Sequence, residues 1–303
     1  MNWAPLLLYL AAIALAPLLG GVIAKTKAFF AGRTGAPLLQ GYFDLAKLLR
    51  KGAVYSATTS WVFRAGPVLS IGAVAVALAL VPMGGTPAPL AFPGDFLVLA
   101  YLLALARFFT VIAALDTGSA FEGMGASREA QFSALAEPGL VLCFFALARN
   151  ADALSLSAGL GALSPGAWRS HAAVLALVAA ALFIVFLAEN ARIPVDDPTT
   201  HLELTMIHEV MVLDHGGPDL ALIEAASWLK LWVLGALVVG VVVPVRTGVP
   251  VMDGGVFVAA MLLLGVAVGV VESAMARLRL LRVPQLLVAS GVLAALATVL
   301  ISG

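Results

Sequence analysis

Residues 188–209 read AENARIPVDDPTTHLELTMIHE and come directly after the apolar run HAAVLALVAAALFIVFL, residues 171–187. The apolar run is long enough to cross the ~30 Å hydrocarbon core of a bilayer as a helix. Charged side chains at the end of such a span usually face a protein interior or water, because lipid does not solvate them. This segment therefore predicts a polytopic membrane protein with polar chemistry at one face. Its ionisable residues are Glu189, Arg192, Asp196, Asp197, His201, Glu203, His208 and Glu209.

The whole chain has the composition of a membrane protein. Of its 303 residues, 62% are hydrophobic and only 11% are charged, whereas soluble domains carry about 25% charged residues. The N-terminal apolar run lacks the basic region of a secretory signal, so we interpret it as a retained helix. Because only helices satisfy their backbone in lipid without closing a barrel, we predict an all-α integral membrane protein, a single domain over 1–303 with eight spans. These are 3–24, 66–82, 96–115, 138–154, 171–188, 221–243, 256–272 and 284–302.

Lysine and arginine are concentrated in alternate connections between these spans. The connections at about 25–65, 116–137, 189–220 and 273–283 hold twelve of them, and the remaining connections hold three. Positive residues favour the cytoplasmic side. We therefore expect a multi-pass protein of the inner (cytoplasmic) membrane with both termini on the outer side.

The first cytoplasmic connection contains LLQGYFDLAKLLRKG, in which polar residues recur at intervals of four, three and four. This spacing predicts an amphipathic helix at the membrane interface. An ordinary amphipathic connector explains the spacing as well.

The segment after the fifth span suggests a polar path into the membrane. Glu189 and Arg192 are three residues apart and are expected to pair, and Pro194 ends the helix. A second helix start follows, at which Asp197 or Thr200 caps and Thr200-x-x-Glu203 fits a capping box. Further acids continue into the next span, and this favours a buried path over a solvated loop; they are Glu209, Asp214, Asp219 and Glu224.

The histidines do not form a convincing metal site. His201, His208 and His215 are seven residues apart, and His208-Glu209 begins the HExxH pattern of zinc proteases. The position of the second histidine is Val212, and zinc requires three or four closely placed ligands. We expect proton sharing or hydrogen bonding instead.

Two other charged clusters lie at the cytoplasmic ends of spans. The stretch 115–138 ends with Glu137 just before Pro138, which we interpret as the start of a helix; its other charged residues are Asp116, Glu122, Arg128 and Glu129. The stretch VESAMARLRLLR contains Glu272, Arg277, Arg279 and Arg282. Arg107 and Lys230 lie within spans and need acidic partners. Each cluster alone is also explained as an anchor at the lipid headgroups.

The chain is not expected to carry electrons. It has a single cysteine, Cys143, and no CxxCH, whereas an iron–sulfur cluster usually takes four thiolates. We predict no catalytic, metal-binding or cofactor-binding residue in this chain and no nucleic-acid partner.

Four motifs, in order along essentially the whole chain, resemble one family. GRTGAPLLQGYFDLAKLLRKG, ARFFTVIAALDTGSAFEGMGASREA, AENARIPVDDPTTHLELTMIHE and ESAMARLRL are similar to subunit 1 of respiratory complex I and to membrane-anchor subunits of energy-converting NiFe hydrogenases, most closely the formate hydrogenlyase and hydrogenase-4 branch. The resemblance implies a subunit that docks a soluble electron-transfer arm and begins a proton path. Implied partners are NiFe-hydrogenase-like large and small subunits, a ferredoxin-like subunit and antiporter-like subunits, which would hold the iron–sulfur clusters and any NiFe centre.

The resemblance also bears on individual residues. Glu189, Arg192, Pro194, Asp196 and Glu203 match the acid-rich complex I pattern, and Glu137 matches the acid nine residues after an arginine. Thr199, His201 and Glu272 depart from it, which argues against quinone binding. The resulting path and coupling candidates are Glu189, Glu203, Glu137, Asp196, Asp197, Glu209, Glu224, Arg192, His201, His208, Asp116, Glu122, Arg128, Glu272, Arg277 and Lys230.

Within this path, Glu189, Glu203 and Glu137 are expected to lie so close that they cannot all ionise, so that one holds a proton. Two alternatives to the coupling subunit are a quinone-chamber subunit of a true complex I and a freestanding secondary ion transporter.

Overall fold

A computed structural model describes residues 3–196, 206–244 and 246–302. Within these residues eight helices are long and apolar enough to cross a membrane, as predicted. The helices are α1 (Ala4–Phe30), α2 (Gln40–Leu49), α3 (Trp61–Ala79), α4 (Asp95–Asp116), α5 (Ala120–Ala151), α6 (Leu156–Gly161), α7 (Pro165–Ser170), α8 (Ala172–Glu189), α9 (Gly217–Val242), α10 (Pro250–Ala274) and α11 (Val283–Ser302).

The spanning helices alternate in direction, so their ends form two groups. One end of the bundle collects the last turns of α1, α4, α8 and α10 and the first turns of α3, α5, α9 and α11; we call it the charged end. Contacts across it include the Ser60 amide, which donates to Asp116 Oδ2 at 2.6 Å, and Lys27 Nζ, which lies 3.0 Å from Glu272 Oε2. The connections rich in lysine and arginine are therefore together in space.

Helix α9 is the most buried of the spans. It packs against α1, α2, α3, α8 and α10, whereas α5 packs against α4, α8 and α11. The largest fully buried side chain is Trp232 on α9. Exposed apolar side chains are numerous on the outer helices, as expected for a protein surrounded by hydrocarbon. The charged groups of α8 and α9 therefore lie at the centre of the bundle.

The predicted amphipathic helix is α2. It packs along α1 and α9 through close backbone approaches: a Cβ on Gly41 would lie 3.1 Å from Trp228 on α9, and a Cβ on Gly21 would collide with the Leu38 carbonyl. The Tyr42 hydroxyl donates to the Ala14 carbonyl on α1. These contacts fix α2 against the bundle.

Helix α5 differs from the prediction. It begins at Ala120, and Pro138 lies inside it, so the connection predicted over 116–137 is mostly helical and Pro138 does not start a helix. A 32-residue helix is about 48 Å long, more than the ~30 Å hydrocarbon core. The polar first half of α5 thus forms one continuous rod with its apolar second half.

The segment after α8 is described at 190–196 and 206–216, with a 3-10 turn over Glu209–Val212. Its second part lies on α5 at Gly125, where an added Cβ would be 2.8 Å from the Ile207 carbonyl and 2.9 Å from Met211 Cγ. The second helix start predicted at Asp197, Thr200 and Glu203 lies outside the described residues, as does His201.

Candidate functional site: a row of buried ion pairs

The first group of buried charges is centred on Glu189, at the end of α8. Its Oε1 lies 2.7 Å from Arg107 Nη1 on α4, and its Oε2 lies 2.8 Å from Lys230 Nζ on α9. The other terminal nitrogen of Arg107 contacts Glu137 on α5. Arg107 therefore lies between two carboxylates, and Glu189 lies between two cations.

This arrangement explains why two cations are tolerated inside spans. A charged side chain in the bilayer centre costs about 3 kcal/mol even on a lenient scale, and a buried charge is retained when a partner of opposite sign compensates it. The expectation that Arg107 and Lys230 find acidic partners is confirmed. The expected Glu189–Arg192 pair is wrong, because the last turn of α8 directs Glu189 inward to α4 and α9.

The cations also change the protonation expected for Glu137 and Glu189. Glu137 and Glu189 both contact Arg107. The repulsion that would keep one carboxylate protonated is therefore offset by a fixed positive charge. Glu203, the third acid of that prediction, lies outside the described residues.

The second group is centred on His208, just before the 3-10 turn. Its Nε2 lies 3.1 Å from Glu129 Oε2 on α5, and its Nδ1 lies 3.3 Å from Asp196 Oδ2. The His208 amide also donates to Asp196 Oδ2, at 3.3 Å. Asp196 Oδ1 lies 2.6 Å from Arg277. His208 thus joins α5 to the 190–196 segment, and Asp196 joins that segment to the α10–α11 connection.

The two carboxylates favour a charged imidazole. Burial alone would lower the pKa of His208, but the negative charges of Glu129 and Asp196 outweigh it and raise that pKa to about 10. Burial would likewise raise the pKa of Asp196, yet His208 and Arg277 hold it below the usual value. Near neutral pH the order of charges is therefore carboxylate, imidazolium, carboxylate, guanidinium.

A small cavity lies between the two groups. The side chains of Glu189, Glu129 and His208 line it, together with apolar residues of α5, α8 and α11. The charges of Glu189 and Lys230 are close enough to Glu129 to act on it. We use the name charge row for the complete sequence of residues, namely Glu137, Arg107, Glu189, Lys230, Glu129, His208, Asp196 and Arg277.

A third group lies beside the charge row. Glu272 on α10, whose side chain is fully buried, is 3.0 Å from Lys27 on α1 and 3.4 Å from Arg192. It is the partner that Arg192 takes in place of Glu189. This group connects the ends of α1 and α10 to the segment after α8.

The other predicted candidates hold the connections of the charged end. Glu122 Oε1 accepts from the Asp214 amide at 3.1 Å, and Arg128 donates to the Met206 carbonyl at 2.9 Å. Asp116 caps the start of α3 through Ser60. Glu209 lies in the 3-10 turn, and Glu224 on α9 is near enough to Asp44 for their charges to interact. In the described geometry none of these belongs to the charge row.

His215 has a different environment from His208. Its ring stacks on Phe63 with centroids 3.8 Å apart. Burial lowers the pKa of His215, despite the opposing charges of Asp219 and Asp214, so its imidazole is neutral near pH 7. His208 and His215 therefore do not act as one set, and no group of three or more metal-ligating side chains occurs in the part of the chain that is described.

Two members of the charge row were not among the predicted path residues. The sequence indicates only that Arg107 needs an acidic partner and that Glu129 belongs to a charged cluster at the end of a span. Their spacing from Glu189 and His208 along the chain carries no information about contact. Helical spacing could have linked Glu129 to Glu137. The two residues are eight apart, so they lie on one side of a continuous α5.

Comparisons with known proteins agree with this architecture. The family model described as NADH dehydrogenase matches residues 4–303. The chain is 34% identical over 285 residues to formate hydrogenlyase subunit 4 of Escherichia coli (strain K12), covering 91% of each chain. It is also 34% identical over 230 residues to hydrogenase-4 component C of the same organism, covering 76% of this chain and 71% of that protein.

A solved structure shows the same fold. A chain in the structure of the membrane-bound sulfane sulfur reductase (MBS), an archaeal respiratory membrane complex, superposes with a TM-score of 0.83, covers 98% of each chain and is 19% identical. The family match spans nearly the whole chain, and the sequence motifs, the eight spans and the curated relatives all agree with it. The chain therefore belongs to the NADH dehydrogenase family, the family of complex I subunit 1-like membrane proteins.

Proposed function

We propose that this chain is the non-redox membrane subunit of a complex I-like or energy-converting hydrogenase complex. In this role it docks the soluble electron-transfer arm and couples the redox reaction of that arm to translocation of H⁺ or Na⁺. Its similarity to a formate hydrogenlyase subunit and a hydrogenase-4 component supports membership of such a complex. The partners we propose are NiFe-hydrogenase-like large and small subunits, a ferredoxin-like iron–sulfur subunit and antiporter-like membrane subunits.

The observation that carries the proposal is the charge row. It runs from Asp196 and His208, in the connection after α8, to Arg107 and Lys230 inside α4 and α9. Buried ion pairs are not in general a gain in stability over apolar packing. A row of them that links a connecting segment to the bundle interior supports a role in moving charge as well as in holding helices together.

Docking is assigned to the charged end. The connections there carry most of the lysine and arginine residues, and the positive-inside rule favours the cytoplasm for that side. We propose that the protein lies in the cytoplasmic membrane with both termini outside, and that the inner stretches at 25–64, 116–137 and 189–220 form the main contact with the soluble subunits.

The experiment compares Glu189→Gln with Asp214→Asn in the complex purified through a tag on this chain. Glu189 is buried in the charge row, whereas Asp214 is exposed at the same end of the bundle. We expect Glu189→Gln to leave assembly and electron transfer between soluble subunits intact and to impair ion pumping into inside-out vesicles. Asp214→Asn should pump as the wild type does.

Other outcomes would favour other functions. Wild-type pumping by Glu189→Gln would refute the coupling role. Purification of a stable monomer with transport activity would replace it with a freestanding transporter, and quinone reduction by the wild-type complex would replace it with a quinone-chamber subunit.

A further inference from the structure

The carboxylate of Glu137 is only partly enclosed by the bundle. Its side chain, on α5, is 43% exposed, whereas that of Arg107, its partner on α4, is 8% exposed. Arg107 donates to one carboxylate oxygen, Oε1. Within the described residues the second oxygen, Oε2, accepts no hydrogen bond. Glu137 therefore presents an acceptor to the outside of the bundle.

The depth of Glu137 in the membrane makes this exposure costly. Its partner Arg107 is nine residues before Asp116 and twelve residues after Asp95, which are the ends of α4. At 1.5 Å per residue, Arg107 lies about 14 Å from the charged end and about 18 Å from the other end of the helix. Glu137 is thus near the middle of the ~30 Å hydrocarbon core, where lipid offers no hydrogen bond to an ionised acid.

The surface around Glu137 also differs from a lipid-facing helix surface. The neighbouring exposed residues of α5 are spaced by three and four, so they form one stripe, which we call the α5 stripe; they are Gln131, Ala134 and Pro138. The exposed stripe of α11 is aliphatic instead, with Val288, Val292, Leu296 and Val299. Small and polar residues are typical of contacts between membrane helices, because they allow close approach and hydrogen bonding.

We propose that a transmembrane helix of another subunit covers the α5 stripe and presents an uncharged N–H or O–H donor, such as an amide or hydroxyl, to Glu137 Oε2. This rests on the proposed function, since it requires membership of a complex with further membrane subunits. The donor is uncharged because Arg107 and Lys230 already offset the charges of Glu137 and Glu189.

A second copy of this chain does not fit this surface. Arg107 and Lys230, the cations within its spans, are mostly buried and already paired. Gln131 has an amide, but it is six residues before Glu137 and therefore about 9 Å nearer to the charged end. Parallel copies in one membrane lie at equal depth, so this amide does not reach the carboxylate of its neighbour. Lipid tails have no donor at all.

Photo-cross-linking identifies what covers the α5 stripe. A diazirine side chain of leucine size is introduced as Ala134→photo-leucine in the complex purified through a tag on this chain. We expect a cross-link to another membrane subunit. Val292→photo-leucine is the control, because Val292 is 52% exposed and lies nine residues from the charged end of α11; it should label lipid.

A bulky side chain tests the packing without changing any charge. Ala134→Trp should lower the amount of that membrane subunit recovered with the chain about tenfold, because an overpacked contact loses binding free energy. Val292→Trp should leave the recovery unchanged.

Two substitutions of Glu137 test the donor. Glu137→Gln keeps a carbonyl oxygen that accepts a hydrogen bond, whereas Glu137→Leu has no acceptor. Recovery of the membrane subunit should therefore be several-fold lower with Glu137→Leu than with Glu137→Gln. Equal recovery with the two variants would refute the hydrogen bond to Glu137.

Other results would overturn the covering helix. Cross-links from position 134 to lipid alone, or between two copies of this chain, would do so, and so would full recovery of the membrane subunit with Ala134→Trp. The cross-link adds little bulk and no charge, so it decides the question even if Ala134→Trp fails to assemble. If Glu189→Gln still impairs pumping in that case, the proposed function stands and only this surface is refuted. A purified complex without any other membrane subunit would refute the proposed function itself.

Discussion

Lys230 Nζ lies 2.8 Å from Glu189 Oε2, although the two residues belong to different membrane helices. Glu189 also contacts Arg107, so one buried carboxylate holds α4, α8 and α9 together. This sharing of an anion by two cations is the central feature of the charge row, and it leads to the first prediction.

Replacing Lys230 with methionine should destabilise the protein. The substitution keeps the apolar stem but leaves Glu189 with one cation, and breaking a buried pair from one side costs about 3 kcal/mol. Unfolding of the purified chain by a denaturing detergent measures the effect. Lys47→Met, at an exposed position of α2, is the control and should be nearly neutral.

The double variant Lys230→Met/Glu189→Gln tests whether the unpaired Glu189 carboxylate causes this loss of stability. Removing both charges should restore part of the lost stability, because no uncompensated carboxylate remains. Additive losses in the double variant would show that Lys230 acts through packing and not through Glu189.

The His208 contacts should stabilise the protein in a defined pH window. The pKa of His208 in the folded chain is raised to about 10, above the value of about 6.5 in an unfolded chain. Its contribution is therefore fully present below about pH 6.5 and is lost as the pH rises through about 10.

Melting curves of wild type and His208→Gln between pH 6 and pH 10.5 check this window. The wild type should melt higher at pH 6, and the difference should shrink steadily toward alkaline pH. A difference that is constant with pH would mean that the imidazolium is not the stabilising species.

Gly125 should be required for the connection after α8 to pack on α5. A Cβ there would lie 2.8 Å from the Ile207 carbonyl and 2.9 Å from Met211 Cγ, whereas a Cβ on Gly123 would have its nearest neighbour, Leu115, at 4.0 Å. Both glycines are in the first half of α5. We expect Gly125→Ala to increase protease cleavage within 206–216, and Gly123→Ala to leave it unchanged.

Equal cleavage in the two variants would contradict this close approach. Helix propensity cannot explain a difference between them, because alanine replaces glycine in the same helix in both cases.

Cysteine labelling tests the orientation of the bundle. In a Cys143→Ala background, Ser56→Cys lies in the exposed connection between α2 and α3, and Ser170→Cys lies exposed at the end of α7, on the opposite side. The positive-inside rule predicts that an impermeant thiol reagent added to intact cells labels Ser170→Cys only. Labelling of Ser56→Cys alone would invert the topology.

The eight spans could be predicted from the sequence because hydropathy acts locally. Helix α8, for example, is an uninterrupted apolar run that ends at Glu189. The extension of α5 to Ala120 was missed because residues 120–137 are small or polar and Pro138 follows them. Proline disrupts a helix in water, but within a membrane bundle neighbouring helices compensate for the lost hydrogen bond.

The sequence predicts that the buried cations pair with acidic residues, but not which acidic residue each one contacts. Arg107 and Lys230 require acidic partners because an unpaired charge in lipid is costly in free energy. Their partners are indeed acids. Which acid each one contacts depends on how the helices pack. Local spacing therefore suggested Arg192 as the partner of Glu189, whereas Arg192 contacts Glu272 across the bundle.

The charge row has four carboxylates and four cations when His208 is protonated, so its resting net charge is zero. Because the charge row has no net charge, it attracts dissolved ions only weakly. Added salt should therefore screen little of its electrostatic field. Moving one proton along it creates a dipole instead of a net charge, in surroundings where electrostatic energies fall off far less than in water. A small shift of charge at the Asp196–His208 end of the row is therefore expected to change the electrostatic potential at Arg107 and Lys230, on α4 and α9.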